Sequence, residues 1–96
     1  MTTVLFPTGR LVATPGALAA CPHERLLELL RQHVLGEWST MCPHDVQANR
    51  DAVQNGSRIL SAYPIDATQP CEGANRIWVI TEADRSSTSV LLPEEY

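Results

Sequence analysis

Two runs near the C-terminal end, Ile77-Trp78-Val79-Ile80-Thr81 and Thr88-Ser89-Val90-Leu91-Leu92, constrain this chain more than any other feature. Both are rich in β-branched, aromatic and aliphatic residues, which suit a pleated, half-buried surface. The connection between them centres on Ala83 to Ser87. That is too short for a crossover, so the two runs must be antiparallel neighbours in a sheet. Pro93 closes the second run, since proline cannot donate to a central ladder.

A lone hairpin does not bury enough surface to stand alone, so further strands are required. Arg58 to Tyr63 reads as one, ended by Pro64 and followed by the polar loop Asp66 to Asn75. At the other end, Val4 to Phe6 and Arg10 to Ala13 flank Pro7-Thr8-Gly9, a sequence that suits a tight turn and predicts an N-terminal hairpin. Thr14-Pro15-Gly16 breaks the second of these strands, and Ala17 to Ala20 has room for one helical turn.

Two helices lie between. His23, Leu26, Leu27, Leu30 and Val34 recur at three- and four-residue steps and predict one apolar stripe, with Gly36 as the stop. Pro43 to Gln54 predicts a second helix, mostly wet on the surface, with Val46 and Val53 on one side and Asn55-Gly56 at its end. The order of strands, helices and strands predicts an α+β fold: a small antiparallel sheet of four to five strands with two helices on one face. With 96 residues, residues 1–96 are read as a single domain.

Composition narrows the partners. The formal charge is −4 and every one of the seven cations is an arginine. A footprint on phosphate needs a net positive face, so direct nucleic-acid binding is disfavoured and a protein partner with a basic surface is favoured. No stretch approaches the ~20 apolar residues of a membrane span, and no signal-peptide pattern opens the chain, so a cytoplasmic location is expected. The three cysteines, Cys21, Cys42 and Cys71, are scattered and read as reduced thiols.

Three constellations could carry chemistry. Cys21-Pro22-His23 and Cys42-Pro43-His44 repeat one tripeptide and together supply the ligand types of a tetrahedral zinc site. Each also explains itself as a helix start, with proline at the first position and an acid, Glu24 or Asp45, in the first turn. The helix-start reading is preferred, and no metal or other cofactor is expected. His33 and Glu37 lie one helical turn apart, so a carboxylate could orient an imidazole there for acid–base work. The competing reading is a histidine resting on the helix dipole. The turn from Thr81 to Ser87 concentrates charge and hydroxyls at a hairpin tip, which is either a contact surface or a solvated turn in which Asp84 bonds nearby amides and Arg85 pairs with Glu82.

The residues Arg76-Ile77-Trp78-Val79-Ile80-Thr81-Glu82-Ala83-Asp84-Arg85-Ser86, with Leu91-Leu92-Pro93-Glu94-Glu95-Tyr96, resemble a family of small uncharacterised proteins of proteobacterial plasmids and integrative elements. The resemblance extends over Val4 to Ala17, His33 to Trp38, Asn49, and Gly56 to Tyr63. Members are sometimes labelled as the modification subunit of a type I restriction enzyme. A methyltransferase, however, needs a doubly wound sheet, a Gly-rich cofactor turn and an N-P-P-[FY]-type motif, and this sequence has none of them. Two departures are notable: Glu37-Trp38-Ser39 stands where members often carry Asp-Trp-Gly, and Cys42-Pro43-His44 where acidic residues are expected. The resemblance implies a mobile-element setting and, with it, an anti-CRISPR or anti-restriction inhibitor.

The leading expectation is therefore a non-catalytic protein-binding module that engages a basic surface through Glu82, Asp84, Arg85, Ser86, Glu94 and Glu95. A small hydrolase or nuclease built on His33 and Glu37, with help from Arg58, Tyr63 or Asp84, is the alternative. A structural subunit is the third, and would show an exposed apolar patch and a symmetric homodimer.

Overall fold

The computed structural model describes residues 4–96. Its elements are β1 (Arg10–Ala13), α1 (Pro15–Ala20), α2 (His23–Leu35), α3 (Pro43–Asn55), β2 (Ile59–Tyr63), β3 (Ile77–Thr81), β4 (Ser87–Leu91) and a final 3₁₀ turn, Pro93–Glu95. The four strands form one sheet in the order β1-β4-β3-β2, an α+β arrangement. The C-terminal hairpin occupies its centre, pairing Thr81 with Thr88 and Trp78 with Leu91, while β2 joins β3 antiparallel with Ala62 opposite Trp78.

The sheet is mixed rather than wholly antiparallel, because β1 lies parallel to β4, with Arg10 beside Ser87 and Ala13 beside Val90. The expected N-terminal hairpin does not form. Leu5 instead donates its N–H to the Val34 carbonyl at 2.8 Å, and Phe6 is buried edge-on against the His33 ring, 5.1 Å between centroids. Gly9 is needed for a close approach rather than for a hairpin turn. It has φ +65, and a Cβ there would run into the backbone of Arg85 and Ser86. Arg10 then donates to the Ser86 carbonyl at 3.0 Å and starts the parallel ladder.

Strand alternation divides the sheet into two faces. Ile59, Ser61, Tyr63, Ile77, Val79, Thr81, Thr88 and Val90 are all buried and share the helix-covered face. Helix α2 covers them through Leu26, Leu29 and His33. The stripe expected from the sequence is rotated: Leu30 and Val34 are half-buried, but Leu27 is 55% exposed whereas Leu29 is fully buried. The buried histidine moves the contact line, since Leu26, Leu29 and His33 form their own i, i+3, i+7 row.

Helix α3 starts with Pro43 and ends at Gly56, with φ +77. Val46 and Val53, which the sequence places on one side of the helix, are partly buried against the core, and the fully covered positions are Asn49 and Ala52. Asn49 seals the edge of β2. Its Nδ2 donates to the Leu60 carbonyl at 2.9 Å and its Oδ1 accepts from the Leu60 N–H at 3.2 Å. The Thr40 hydroxyl donates to the next outward carbonyl, that of Ala62, at 2.8 Å. No helix among the described residues is long and apolar enough to cross a membrane.

Candidate functional site

His33 is completely buried and sits in a continuous chain of hydrogen bonds. Its Nδ1 lies 2.6 Å from Ser61 Oγ and its Nε2 lies 2.8 Å from Thr81 Oγ1. Thr81 Oγ1 is 2.7 Å from Thr88 Oγ1, and the Thr88 hydroxyl donates to the Thr8 carbonyl at 2.8 Å. A carbonyl only accepts, so the direction of the whole chain is fixed from that end. Thr88 accepts from Thr81, Thr81 accepts from the Nε2–H of His33, and Nδ1 accepts from Ser61. Burial lowers the His33 pKa to about 3, which keeps the ring neutral.

This arrangement separates His33 from the groups proposed to work with it. Glu37 lies beyond the left-handed cap at Gly36 with its side chain exposed. The buried Tyr63 donates its hydroxyl to the Glu37 carbonyl at 3.1 Å. Arg58 lies over the Tyr96 ring, 5.5 Å from its centroid, and Asp84 is at the hairpin tip. An acid–base pair of His33 and Glu37 is therefore not formed. The imidazole has both nitrogens engaged inside the core and holds α2 to β2 and β3.

The hairpin tip is also largely structural. Arg85 adopts φ 61, the left-handed conformation. Its Nη1 donates to the Ser57 carbonyl at 2.7 Å and the Glu82 carbonyl at 3.2 Å, and its Nη2 donates to the Ala52 carbonyl at 3.0 Å. The last of these is a carbonyl in the final turn of α3 that also accepts from the Gly56 and Ser57 N–H groups, and the helix dipole favours a cation there. The expected pairing of Arg85 with Glu82 thus exists only through the Glu82 backbone. Asp84 Oδ1 accepts from the Ser86 N–H at 3.0 Å, and the Ser86 bonds hold its carboxyl below the usual carboxylate range.

Glu95 fastens the C-terminal turn to α1. Its Oε1 accepts from the Thr14 hydroxyl at 2.5 Å and the Leu92 N–H at 3.0 Å, and its Oε2 accepts from the Gly16 N–H at 3.1 Å. The Thr14 bond leads in depressing its pKa. Glu82, Ser86 and Glu94 remain exposed. They do not make one patch, because the tip and the C-terminal turn are at opposite ends of β4, roughly 17 Å apart at strand rise.

The two Cys-Pro-His tripeptides begin α2 and α3, with Pro22 as the N-cap of one and Pro43 as the first residue of the other. Cys21 is buried, and burial raises its pKa. His23, Cys42 and His44 are exposed. Among the described residues no three His, Cys, Asp or Glu side chains gather in a way that would hold a metal ion.

A hollow lies elsewhere, between the open face of β2–β3 and the N-terminal half of α3. It has a volume of about 580 Å³, with Leu60, Ala62 and Trp78 on the sheet side, Arg58 and Arg76 alongside them, and Asp45 on the α3 side. The Trp78 ring meets Tyr96 edge to face, 5.6 Å between centroids. Alternation carried part of this signal, since Arg58, Leu60 and Ala62 are spaced by two, as are Arg76 and Trp78. What the sequence lacked was the register that puts the two sets side by side and the turn of α3 that walls them in. No family model, curated protein or solved structure matches the chain.

Proposed function

We propose that the chain is a non-catalytic protein-binding domain whose contact surface is the groove between α3 and the open face of the sheet. One observation carries the reading: the groove gathers two arginines and a tryptophan around an apolar floor. Arginine forks and tryptophan faces are the side chains that most often dominate protein interfaces. The segment that fits would carry a carboxylate beside an aliphatic or aromatic anchor. Neutral, fully bonded His33 offers no competing acid–base centre.

The resemblance to mobile-element proteins gives this reading its biological setting, a cytoplasmic inhibitor of a host-defence protein. The net charge of −4 supports a second contact with a basic surface, to which Glu82 and Glu94 are the expected contact glutamates whose side chains the fold does not bond. Complementary charge of that kind accelerates encounter more than it adds affinity.

The test is retention of host proteins on three immobilised forms: wild type, Arg58→Glu/Arg76→Glu, and Glu82→Lys/Glu94→Lys. Melting curves establish that each is folded. Loss of a retained protein on the arginine variant alone supports the groove. Loss on the glutamate variant alone transfers the contact to the acidic ends. A wild type that retains nothing from host extract overturns the binding reading.

A further inference from the structure

We infer that β1 is a dimerisation edge, on which a second copy of this chain adds its own β1 antiparallel about a two-fold axis at Val12, making a continuous eight-stranded sheet. The inference concerns the edge of the sheet away from the groove and does not depend on the proposed binding function.

The two sheet edges are finished differently. Outward-facing groups of β2 are bonded by Asn49 and Thr40, one of the ways native proteins prevent an edge from pairing. At β1 no side chain among the described residues bonds the outward backbone groups. The strand reads Arg10-Leu11-Val12-Ala13, without proline, bulge or inward charge, and Leu11 and Val12 are 54% and 43% exposed.

The direction of the β1 backbone settles which groups are available. Arg10 and Thr14 donate their N–H groups to the Ser86 and Val90 carbonyls of the neighbouring chain segment, each at 3.0 Å. Backbone direction alternates along a strand. Val12 therefore also points toward β4, and the N–H and C=O groups of Leu11 and Ala13 point outward. Among the described residues neither has a hydrogen-bond partner there.

An antiparallel copy must pair outward residues with outward residues. Centring the axis on Val12 achieves this by placing Leu11 opposite the second copy's Ala13, and Ala13 opposite its Leu11. Each of these two pairs exchanges two N–H···O=C bonds, four in all. The side chains fit the same register. A large residue meets a small one on the helix-covered face, and the two Val12 side chains meet on the open face, a favourable cross-strand pair. Arg10 falls opposite the second copy's Thr14, so the two guanidinium groups lie at opposite ends of the ladder. Shifting the axis by half a step to a position between residues would pair outward groups with inward ones and form no ladder.

Sedimentation velocity over a concentration series tests the idea, with Val12→Lys as the disrupting variant. Like charges face each other at the axis in that variant, and the expected result is a wild-type dimer whose association weakens roughly tenfold or more, about 1.4 kcal/mol. Melting curves check that Val12→Lys, at a half-exposed position, remains folded. Register is read by cross-linking in a Cys42→Ser background. Val12→Cys should give a disulfide-linked dimer under mild oxidation, because residues at a non-hydrogen-bonded pair have Cα atoms about 4.5 Å apart. Arg10→Cys should not, since the two copies of that residue are four positions apart, roughly 13 Å. A wild type that is monomeric throughout, a dimer indifferent to Val12→Lys, or cross-linking at residue 10 in place of residue 12 would each overturn the inference.

Discussion

Protonating His33 should unfold this protein, and the dependence can be worked out from its burial. The folded ring titrates at about 3 against an ordinary 6.5. The unfolded chain therefore binds a proton that the folded chain refuses. Stability from this group is complete above pH ~6.5 and is lost as pH falls toward 3. Each pKa unit is worth about 1.4 kcal/mol, so the full loss is about 5 kcal/mol and the share already lost at pH 5 is about 2 kcal/mol. A small domain has about 5–15 kcal/mol in total, so that share is readily measured.

The assay is urea unfolding at pH steps from 7.5 to 5, with midpoints and slopes fitted at each step. The window avoids the carboxylates. Asp66, Asp84 and Glu95 have depressed pKa values, so their contributions are lost only as pH falls below about 4. His33→Gln retains a side chain able to bond Ser61 and Thr81 but cannot titrate, and its stability should be level across the window. His23→Gln/His44→Gln, in which both exposed histidines are removed, should retain the wild-type slope. A wild type whose stability changes by less than about 0.5 kcal/mol between pH 7 and 5, or a slope that survives in His33→Gln, would refute the argument.

Two further outcomes follow from packing and from the hairpin tip. Leu29→Ala should cost about 2–5 kcal/mol in urea unfolding, whereas Leu27→Ala should cost less than about 0.5 kcal/mol, because only the first opens a cavity. Arg85→Ala should cost about 1–3 kcal/mol, since it removes one charged donor from the Ala52, Ser57 and Glu82 carbonyls while keeping a left-handed backbone. Arg85→Gly should recover about 1 kcal/mol of that by relieving the backbone, and equal melting temperatures for wild type and Arg85→Ala would show that the fork is not holding the turn.

The sheet was legible where strands are local. The runs around Trp78 and Val90 and the short connection between them dictate a hairpin, and the helix stops at Gly36 and Gly56 are visible as single letters. The parallel pairing of β1 with β4 was not legible, because it spans more than seventy residues and depends on Gly9 passing the Arg85–Ser86 backbone. The rotation of α2 was hidden for a different reason. A pattern search counts His33 as polar, while the fold supplies Ser61 and Thr81 to satisfy it and so makes it a core residue.

The same distinction reorders the candidate sites. Polar side chains in a chain of this size are drawn into the fold whenever backbone groups need partners, and sequence position gives little sign of which ones will be. Arg85 looked like an interface residue because it stands in a charged turn. Its guanidinium in fact bonds the last turn of α3 at Ala52, thirty-three residues earlier in the chain. Glu95, in an acidic C-terminal stretch, bonds the start of α1. Arg58 entered only as a helper in the hydrolase alternative and Arg76 only as the start of the C-terminal motif, yet both line the groove beside Trp78. For binding, the informative groups are those whose hydrogen-bonding capacity the fold has left available. By that criterion the search for a partner should begin with the open face of the sheet and the outer edge of β1, and the charged hairpin tip should come after them.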